Sequence, residues 1–226
     1  MPRVLVVIVL YFPEKEPERF QDDTLIIDNT HNNIGIAAAL NIGLKKAIDE
    51  NYDWLLTMDQ DSVFEPGALE NLKQAAFSCD EKTAWVSPTH ITQKGKSAHR
   101  LVAMTSGSML RVSACKQIGL FEEKLFIDSV DNEYCLRLRK SGFKIHRVDN
   151  SVLTHSLGPH NAARRYYITR NMLYVMFKYP IFFPFGSKEL IKSFLLILFV
   201  EDDKHRKIRS FFIGVIDFLR GRYGPR

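Results

Sequence analysis

The sequence predicts an α/β fold in which a buried sheet is covered by helices. Short, continuous apolar runs of strand length alternate along the chain with longer segments of helical periodicity. Several of these runs end in a carboxylate or an amide, and ligands of open α/β sheets bind at the carboxyl ends of the strands. With 226 residues, 46% hydrophobic and 25% charged, the chain is long enough for one sizeable core. One α/β domain with a site at its strand ends is therefore expected.

The first part of the chain supplies two strands and a helix. Residues 4–11 are apolar and predict a buried first strand. A charged connector over residues 13–23 has room for only a short helix, and residues 24–28 then predict a second strand of the same apolar kind, closed by Asp28. Residues 33–51 carry apolar side chains at helical spacing and predict a long helix.

The third predicted strand, at residues 54–58, leads into two carboxylates one residue apart, Asp59 and Asp61. Carboxylates at alternating positions repel each other, and a hard divalent cation such as Mg²⁺ or Mn²⁺, shared with a substrate diphosphate, relieves that repulsion. A solvated turn, with a cap before the helix that Pro66 opens, explains the same residues. The triplet alone leaves both interpretations open.

The elements predicted farther along the chain are shorter. A helix is expected at residues 66–78, where Pro66 suits a first helical turn, and another at residues 131–141, where Gly142 suits a C-terminal stop. The small residues around Gly107 allow a ligand to approach the backbone closely, although a plain bulge explains them equally well. The other predicted elements are strands at 84–87, 102–111 and 143–148, the last on a sheet edge, and a short helix at 113–119.

The C-terminal part of the chain is basic and aromatic. Residues 1–136 hold 13 Lys and Arg against 20 Asp and Glu, whereas residues 137–226 hold 18 against 6. Polyanionic partners follow, but nucleic acid is disfavoured because no helix-turn-helix, zinc finger or ribonucleoprotein motif is present. Helices are expected at 166–179, 190–200 and 208–222, the first two separated by residues 180–186. The 190–200 helix is too short to span a bilayer, which leaves core packing or an in-plane membrane contact, and the 208–222 helix is the better membrane candidate.

Cysteine usage and the N-terminus indicate a cytoplasmic protein. Cys79, Cys115 and Cys135 form no C-x-x-C pair, so neither a disulfide framework nor a zinc site is indicated, and a reducing compartment fits best. Residues 1–11 lack a small-residue cleavage site and do not resemble a signal peptide.

Further polar clusters stand at predicted strand ends and helix starts. Asn33 and Gly35 open the first long helix, where free backbone amides favour a nucleotide phosphate. Asp128 and Asp131 lie at the start of a later helix, where a lone Asp more often serves as an N-cap. His155 follows a strand, and such a histidine is more often a surface or core residue than a ligand.

Four blocks, at residues 33–43, 56–62, 126–134 and 155–158, together resemble glycosyltransferase family 2, above all its bacterial rhamnosyltransferase-type branch. They occur in family order, and the resemblance covers roughly residues 4–175. It implies a GT-A fold, a Rossmann-like mixed sheet flanked by helices, here with a basic helical C-terminal extension. It also implies inverting transfer from a nucleotide-diphospho-sugar.

The resemblance implies a role for each matching residue. Asp131 would be the general base, and Asp59, Asp61 and His155 would hold Mn²⁺ or Mg²⁺. The donor nucleotide would contact Asp28, Asn33, Gly35 and Asp59. The acceptor would contact Gly107, Glu133 and Arg165. Arg164, Arg165 and Arg170 could pair with a diphosphate or an acceptor lipid phosphate, although a solvated basic helix face explains them equally well.

The expected substrates are a dTDP- or UDP-sugar and a cell-surface glycan or its lipid carrier. The alternative is a weak or inactive relative that acts as a binding or assembly component at the inner face of the membrane. A nucleotidyltransferase is disfavoured because no glycine-rich triphosphate loop follows the first strand.

The chain is expected to divide into a catalytic domain at 1–160 and a basic helical segment at 161–226. The nucleotide-binding half of the domain would span about 1–62 and the acceptor half about 63–160. The sequence departs from the family pattern at residues 13–23 and 29–32, which replace a full helix and a further strand. Part of the nucleotide-binding half is therefore expected to be missing.

Overall fold

The computed structural model describes residues 1–14, 16–93, 95–97, 100–156, 158 and 161–226. Within them, eight strands form one mixed sheet in the order β2-β1-β3-β7-β5-β8-β4, with β6 paired to β5. The predicted α/β architecture is confirmed. The strands are β1 Val4–Leu10, β2 Asp23–Asp28, β3 Trp54–Asp59, β4 Val63–Phe64, β5 Thr83–Thr92, β6 Gly95–Ser97, β7 Ser108–Arg111 and β8 Lys144–Thr154.

Helices cover both faces of this sheet and form the C-terminal part of the chain. None of the helices in the described ranges is long and apolar enough to cross a membrane. Short 3-10 turns occur at Glu123–Leu125 and Pro180–Phe182. The α-helices are α1 Ile36–Asp49, α2 Ala68–Ser78, α3 Val112–Ile118, α4 Val130–Lys140, α5 Ala162–Lys178, α6 Phe183–Phe199 and α7 Lys204–Leu219.

The first strand is buried on both faces, which explains its uninterrupted apolar run. Leu5 and Val7 join the core that includes α1, whereas Val6 and Ile8 join a second core on the other face with Leu72 of α2. Each such fully buried aliphatic side chain contributes about 1.5–3 kcal/mol to folding. β1 pairs in parallel with both β2 and β3, so the ends of these three strands meet on one side of the sheet.

The second strand differs from the prediction, because it is an edge strand and not a buried one. Ile27 is 9% exposed, but Ile26, on the opposite face, is 52% exposed. No helix lies between β1 and β2 in the described residues 11–14 and 16–22, and Phe20 of this connection, which packs against the core on the side of Ile8, does not cover Ile26. The short connector expected from the sequence thus leaves one face of β2 in solvent.

The strand predicted at 102–111 is confirmed only for Ser108–Arg111. Gly107 has a φ of 69°, outside the extended region, and its N–H donates to the carbonyl of Thr57 at 2.7 Å. The Thr57 hydroxyl in turn donates to the Thr105 carbonyl at 2.6 Å. The segment before Gly107 therefore bends across the end of β3 and is free to line a site.

The strand predicted to end at residue 148 on a sheet edge continues to Thr154, where its last residues pair with β4. Val63 of β4 lies opposite Thr154 in this antiparallel pair. Asp61 precedes β4 by two residues, and His155 directly follows β8. The pairing therefore brings Asp61 and His155 together, although more than ninety residues separate them in the sequence.

The C-terminal helices share the main core. Met172, Val175 and Met176 of α5 belong to the same buried cluster as β1 and α1. α6 begins at Phe183, before the predicted start at residue 190, because Pro184 is tolerated in a first helical turn. The segment after residue 160 therefore packs directly on the sheet domain.

Candidate active site

A cavity of about 440 Å³ opens beside the ends of β1 and β3. We call it the strand-end cavity. Its lining includes Tyr11, Asn29, Asp59, Asp61, His155 and Arg164. The ends of β1, β2, β3 and β8 contribute all of these side chains except Arg164, which comes from the first turn of α5, so polar residues at several strand ends meet at one place.

Asp59, Asp61 and His155 form a compact cluster in this cavity. One ligand atom from each lies within 4.8 Å of the others. His155 Nδ1 is 3.7 Å from Asp61 Oδ1 and 3.9 Å from Asp59 Oδ2. The imidazole is nearly buried, while the two carboxylates are partly exposed to the cavity. The geometry thus brings together the three residues that the sequence suggested as metal ligands.

Serine and histidine side chains behind this cluster hold it in place. Ser62 Oγ lies 2.8 Å from His155 Nδ1 and accepts a hydrogen bond from Ser106 Oγ at 2.7 Å. Ser106 Oγ also accepts the Asp59 N–H at 3.1 Å. His90 Nε2 is 2.6 Å from the Ser106 carbonyl, and burial lowers the pKa of His90 to about 4, so this ring is neutral and donates. Apart from the small residues near Gly107, no pattern in the sequence indicated these positions of Ser106 and His90.

The electrostatics of the cluster favour a cation. Burial raises the pKa of Asp59, and the neighbouring Asp61 carboxylate raises it further, while His155 and Arg164 act in the opposite direction. A carboxylate that is held in a cleft beside a second carboxylate is stabilised by any positive charge placed between them. A divalent cation bound at this cluster would therefore offset both the burial of the Asp59 carboxylate and its repulsion by Asp61.

The loop after β2 forms the wall next to the start of α1. Asn29 is buried, and its Oδ1 accepts the Ile34 N–H at 2.8 Å, while its Nδ2 donates to Asn33 Oδ1. Gly35 has a φ of 85°, and a Cβ there would lie 2.5 Å from the Phe126 ring. Only glycine fits this position, where two loops of the cavity touch.

Asn33 and Gly35 line the strand-end cavity as expected, but Asp28 does not. Asp28 is exposed, and hydrogen bonds from the Thr30 side chain and from the Thr30 N–H, which lies 2.8 Å from Asp28 Oδ1, hold the pKa of Asp28 below its ordinary value. The nucleobase contact expected for Asp28 is therefore not supported by the geometry, and its neighbour Asn29 reaches the cavity instead.

Tyr11 was missed by the sequence analysis because it was assigned to the end of a buried strand. It is 50% exposed and lines the strand-end cavity. Its backbone exchanges two hydrogen bonds with the Gln60 side chain, at 2.6 and 2.9 Å. The loop after β1 is thus tied to the loop that carries Asp59 and Asp61, and it presents an aromatic ring at the cavity rim.

The loop before α4 contains three residues with positive φ: Phe126 at 65°, Asp128 at 62° and Ser129 at 61°. Each such non-glycine conformation costs on the order of 1–3 kcal/mol. Asn171 of α5 offsets this cost, because its buried Nδ2 donates to the carbonyls of Leu125 at 2.8 Å, Ile127 at 2.7 Å and Asp128 at 3.0 Å. The loop is strained, and α5 holds it in place.

Replacing Asn171 with alanine is expected to lower the free energy of unfolding by about 1–3 kcal/mol, because buried carbonyls then lose their donor. Chemical denaturation measures this change. Asn150→Ala, at an exposed position, should have almost no effect. Equal stability of the two variants would contradict the role of Asn171 in holding the loop.

Asp128 is paired with Arg164 and does not cap α4. Arg164 Nη2 and Nε lie 3.2 Å from Asp128 Oδ1 and Oδ2 respectively, and Nη1 donates to the Gly158 carbonyl at 2.8 Å. The N-cap position belongs to Ser129, whose side chain makes no capping bond. Arg164 therefore joins the strained loop to the segment after β8 at the wall of the strand-end cavity.

A second cavity of about 370 Å³ lies between the sheet domain and α6. We call it the α6 cavity. Its lining includes His90, Arg147, Arg165, Leu190, Lys192 and Leu196. Arg165, predicted to contact the acceptor, is 3% exposed and bonded to Ser193 at 2.5 Å and to Glu201. The C-terminal segment therefore supplies one wall of a cavity.

Asp131 stands where the two cavities meet. Both are lined by Met104, Asp128, Ser129 and Asp131. Asp131 lies in the first turn of α4, and its Oδ1 accepts the Asn132 N–H at 2.7 Å. Burial, together with the neighbouring carboxylates of Asp128 and Asp59, raises the pKa of Asp131 to about 6. A carboxylate with this pKa is ionised at neutral pH and able to accept a proton.

Two residues predicted to contact the acceptor lie outside both cavities as the described residues define them. Glu133 is fully buried and accepts hydrogen bonds from Arg137 at 2.8 Å, Lys178 at 2.9 Å and Tyr179 at 2.9 Å. Gly107 lies behind the cavity wall, where a Cβ would meet the Leu153 side chain at 2.7 Å. The geometry gives these two residues structural positions and does not support acceptor contacts.

The arginine cluster of α5 divides between the two cavities and the core. Arg170 is 1% exposed and donates to the carbonyls of Leu125 at 3.2 Å and Gly224 at 2.9 Å. It is neither a phosphate ligand nor part of a solvated face, the two roles considered for it. Helical spacing alone cannot show which of Arg164, Arg165 and Arg170 is buried, because it does not reveal which face of α5 packs against the rest of the protein.

The sequence profile of Glycosyl transferase family 2 matches residues 14–168. The chain belongs to glycosyltransferase family 2. The matched residues include the Asp59, Asp61 and His155 cluster and the Asp131 carboxylate, so the profile and the two cavities point to the same part of the molecule.

This glycosyltransferase is also similar to individual proteins. The dTDP-rhamnosyl transferase RfbF from Shigella flexneri is 24% identical over 231 residues, which span 85% of this chain and 77% of that protein. The structure of S. aureus TarS 1-349 in complex with UDP-GlcNAc matches with a TM-score of 0.57 at 11% identity, covering 97% of this chain and 81% of that chain. The TarS likeness shows the fold alone, and it agrees with the GT-A expectation.

The donor set of this glycosyltransferase fits a divalent cation. Carboxylate oxygens with one imidazole suit Mn²⁺, whereas Mg²⁺ prefers oxygen ligands alone. The three side chains Asp59, Asp61 and His155 offer one ligand atom each and leave coordination positions for a substrate. Their charges and spacing therefore match the group that the family commonly uses.

Proposed function

We propose that this glycosyltransferase moves a sugar, rhamnose or a similar one, from a dTDP- or UDP-sugar to a glycan or lipid-linked acceptor with inversion at the anomeric carbon. The observation that carries the proposal is the position of Asp131 at the junction of the strand-end cavity and the α6 cavity. A donor in the first and an acceptor in the second would meet at this carboxylate.

The proposed reaction is a single displacement. The acceptor hydroxyl oxygen forms a bond to the anomeric carbon while the bond from that carbon to the diphosphate oxygen breaks. Asp131 takes the proton of the hydroxyl, and the electron pair of the broken bond leaves with the diphosphate. Because Asp131 faces the α6 cavity as well as the strand-end cavity, it can accept a proton from the acceptor side.

The leaving diphosphate gains negative charge, and residues of the strand-end cavity would stabilise it. Asp59, Asp61 and His155 would hold Mn²⁺ or Mg²⁺, which supplies Lewis-acid stabilisation of the leaving group. Arg164 lines the same cavity and brings a guanidinium that pairs well with phosphate oxygens. The His155 imidazole in the donor set favours Mn²⁺ over Mg²⁺.

The nucleotide is proposed to lie along Asn29, Asn33, Gly35 and Tyr11. Gly35 lines the cavity at the N-terminus of α1, a position that suits a phosphate, and the exposed Tyr11 ring suits a base. The similarity to a dTDP-rhamnosyl transferase supports dTDP as the nucleotide, and the likeness to TarS keeps UDP as the alternative.

The acceptor is proposed to occupy the α6 cavity. Arg147 and Lys192 bring cationic side chains to this cavity, and Leu190 and Leu196 bring apolar ones. This combination suits a sugar attached to a lipid phosphate. The donor half would then comprise about residues 1–62, and the acceptor half, at about 63–160, would be completed by the helices of 161–226. We place the enzyme in the cytoplasm, at the inner face of the membrane.

Titration calorimetry with dTDP and UDP, each with and without Mn²⁺, tests this proposal. Binding of one nucleotide that requires Mn²⁺ is the expected result. If neither nucleotide binds, either the short segments at 13–23 and 29–32 disable the donor site or the donor carries another base. The result would then favour the inactive relative that acts as a binding component.

Replacing Tyr11 with alanine is expected to weaken binding of the preferred nucleotide by roughly fivefold, because one base stacking contact of about 1 kcal/mol is lost. Tyr11→Phe keeps the ring and should bind like the wild type. The same calorimetry compares the two variants. Equal weakening by both would mean that the hydroxyl group, and not stacking, makes the contact.

A further inference from the structure

The outer face of α6 exposes large apolar side chains in a continuous stripe. Ile191 is 61% exposed, Leu195 47% and Phe199 75%, and the following Val200 is 73% exposed. Ile191, Leu195 and Phe199 are spaced by four along the helix, so they lie on one side of it. On α1 and α2, by contrast, the exposed apolar residues Ile42, at 45%, and Phe77, at 39%, have no such neighbours along the same helix.

The same helix separates this stripe from the α6 cavity. Pro184, Ile191, Leu195 and Phe199 line a shallow outer groove. Lys192 and Leu196 line both this groove and the α6 cavity. A molecule that places an apolar part on the outer face and a polar part in the α6 cavity would therefore need to extend only across the width of α6.

The stripe has a cationic border. Lys188 and Lys192 are exposed, line the groove, and have no ion-pair partner in the ranges that the structure describes. Glu189 is the only acidic residue of α6, and it lines the α6 cavity instead. An anionic surface complements this border, whereas a second copy of the chain, docked through the same face, would bring like charges together.

The neighbouring helix α7 extends the apolar surface. The Phe194 ring of α6 lies 5.0 Å from that of Phe211 and 6.1 Å from that of Phe212. Phe212 is 51% exposed and Leu219 74% exposed, and α7 also carries exposed basic residues, among them Arg209. Two helices that lie side by side and present aromatic and basic side chains outward suit the interface of a bilayer.

We infer that the outer face of α6, with the adjoining face of α7, docks on an anionic lipid bilayer and holds the mouth of the α6 cavity at the membrane surface. The helices lie in the plane of the interface, with the apolar stripe among the acyl chains and the lysines at the headgroups. This inference rests on the proposed function, since it names a lipid-anchored molecule as the class of acceptor that enters the cavity.

Co-sedimentation of the whole chain with vesicles of roughly 3:1 phosphatidylcholine to phosphatidylglycerol tests the inference. The double variant Leu195→Glu, Phe199→Glu should bind at least about tenfold more weakly than the wild type, and binding of the wild type should fall with added salt. The matched control Ile42→Glu, Phe77→Glu changes two exposed apolar residues on other helices and should bind like the wild type.

Three outcomes would overturn the inference. The first is that the wild type does not bind the vesicles, and the second is that the Leu195→Glu, Phe199→Glu variant binds as well as the wild type. The third is that sedimentation equilibrium shows a wild-type dimer that this variant dissociates, which would assign the face to a second copy. Calorimetry with dTDP, UDP and Mn²⁺ on the same preparations reports the donor site separately. Loss of vesicle binding with nucleotide binding intact would therefore leave the proposed function standing.

Discussion

Replacing Asp131 with asparagine is expected to lower sugar transfer by about 10²–10⁴-fold, because asparagine cannot accept the proton of the acceptor hydroxyl. Asparagine has nearly the same size and keeps an oxygen for the Asn132 N–H, so the loop and both cavities should stay in place. Transfer from the nucleotide-sugar that calorimetry identifies is measured under steady-state conditions. Nucleotide affinity should change little.

The same substitution should make the folded protein more stable at neutral pH. Folding raises the pKa of Asp131 from 3.8 to about 6, so the folded state holds this proton more tightly than the unfolded chain. The stabilisation from that proton is complete below the unfolded pKa and is lost as the pH rises through about 6. Above that pH the buried charge destabilises the fold, and Asp131→Asn should recover about 1–3 kcal/mol.

The pH dependence of transfer follows from the same group. In the wild type, transfer should fall as the pH is lowered through about 6, because Asp131 becomes protonated. Asn132→Ala, at the next position, serves as a control and should keep this profile. Full activity of Asp131→Asn, or a wild-type profile that is flat through pH 6, would rule out Asp131 as the base.

Replacing Asp61 with asparagine is expected to weaken Mn²⁺-dependent nucleotide binding by at least about 100-fold. The substitution removes one of the two carboxylates that face His155, and with it a charged ligand of the proposed cation. Calorimetry with the preferred nucleotide and Mn²⁺ gives the affinity. Binding in the absence of metal should be equally weak in the variant and the wild type.

Asp149→Asn is the matched control for Asp61→Asn. It removes a carboxylate from an exposed position in β8, outside the two cavities as described, and should bind nucleotide like the wild type. Equal affinity of Asp61→Asn and the wild type in the presence of Mn²⁺ would mean that Asp61 holds no cation. Asp59 and His155 would then need another role.

Much of the sheet could be predicted because its strands are buried. The uninterrupted apolar run of β1 is typical of a strand that is covered on both faces, and the carboxylates of Asp28 and Asp59, at the ends of β2 and β3, mark where the chain leaves the core. The cluster of Asp59, Asp61 and His155 was predicted through the family resemblance. Its physical cause, the β4–β8 pairing, could not be read from two residues of strand such as Val63 and Phe64.

The rest of the site depends on contacts between segments that are distant in sequence. Nothing near residue 171 indicates that Asn171 holds the loop before α4, because its three partners lie more than forty residues away. The position of Glu133 was mistaken for a similar reason, since its partners Lys178 and Tyr179 lie at the C-terminal end of α5, more than forty residues away. Helical spacing showed that Glu133 is near Asp131 but not which way each side chain faces.

The two cavities share one floor, formed by Met104, Asp128, Ser129 and Asp131. A molecule bound in either cavity therefore contacts the same four residues and restricts the same strained backbone. If donor and acceptor both order this floor, the second to bind meets a part that is already rigid and binds more tightly. By thermodynamic reciprocity, the donor would strengthen acceptor binding by the same factor by which the acceptor strengthens donor binding. The enzyme would thus favour the ternary complex over either half-filled state.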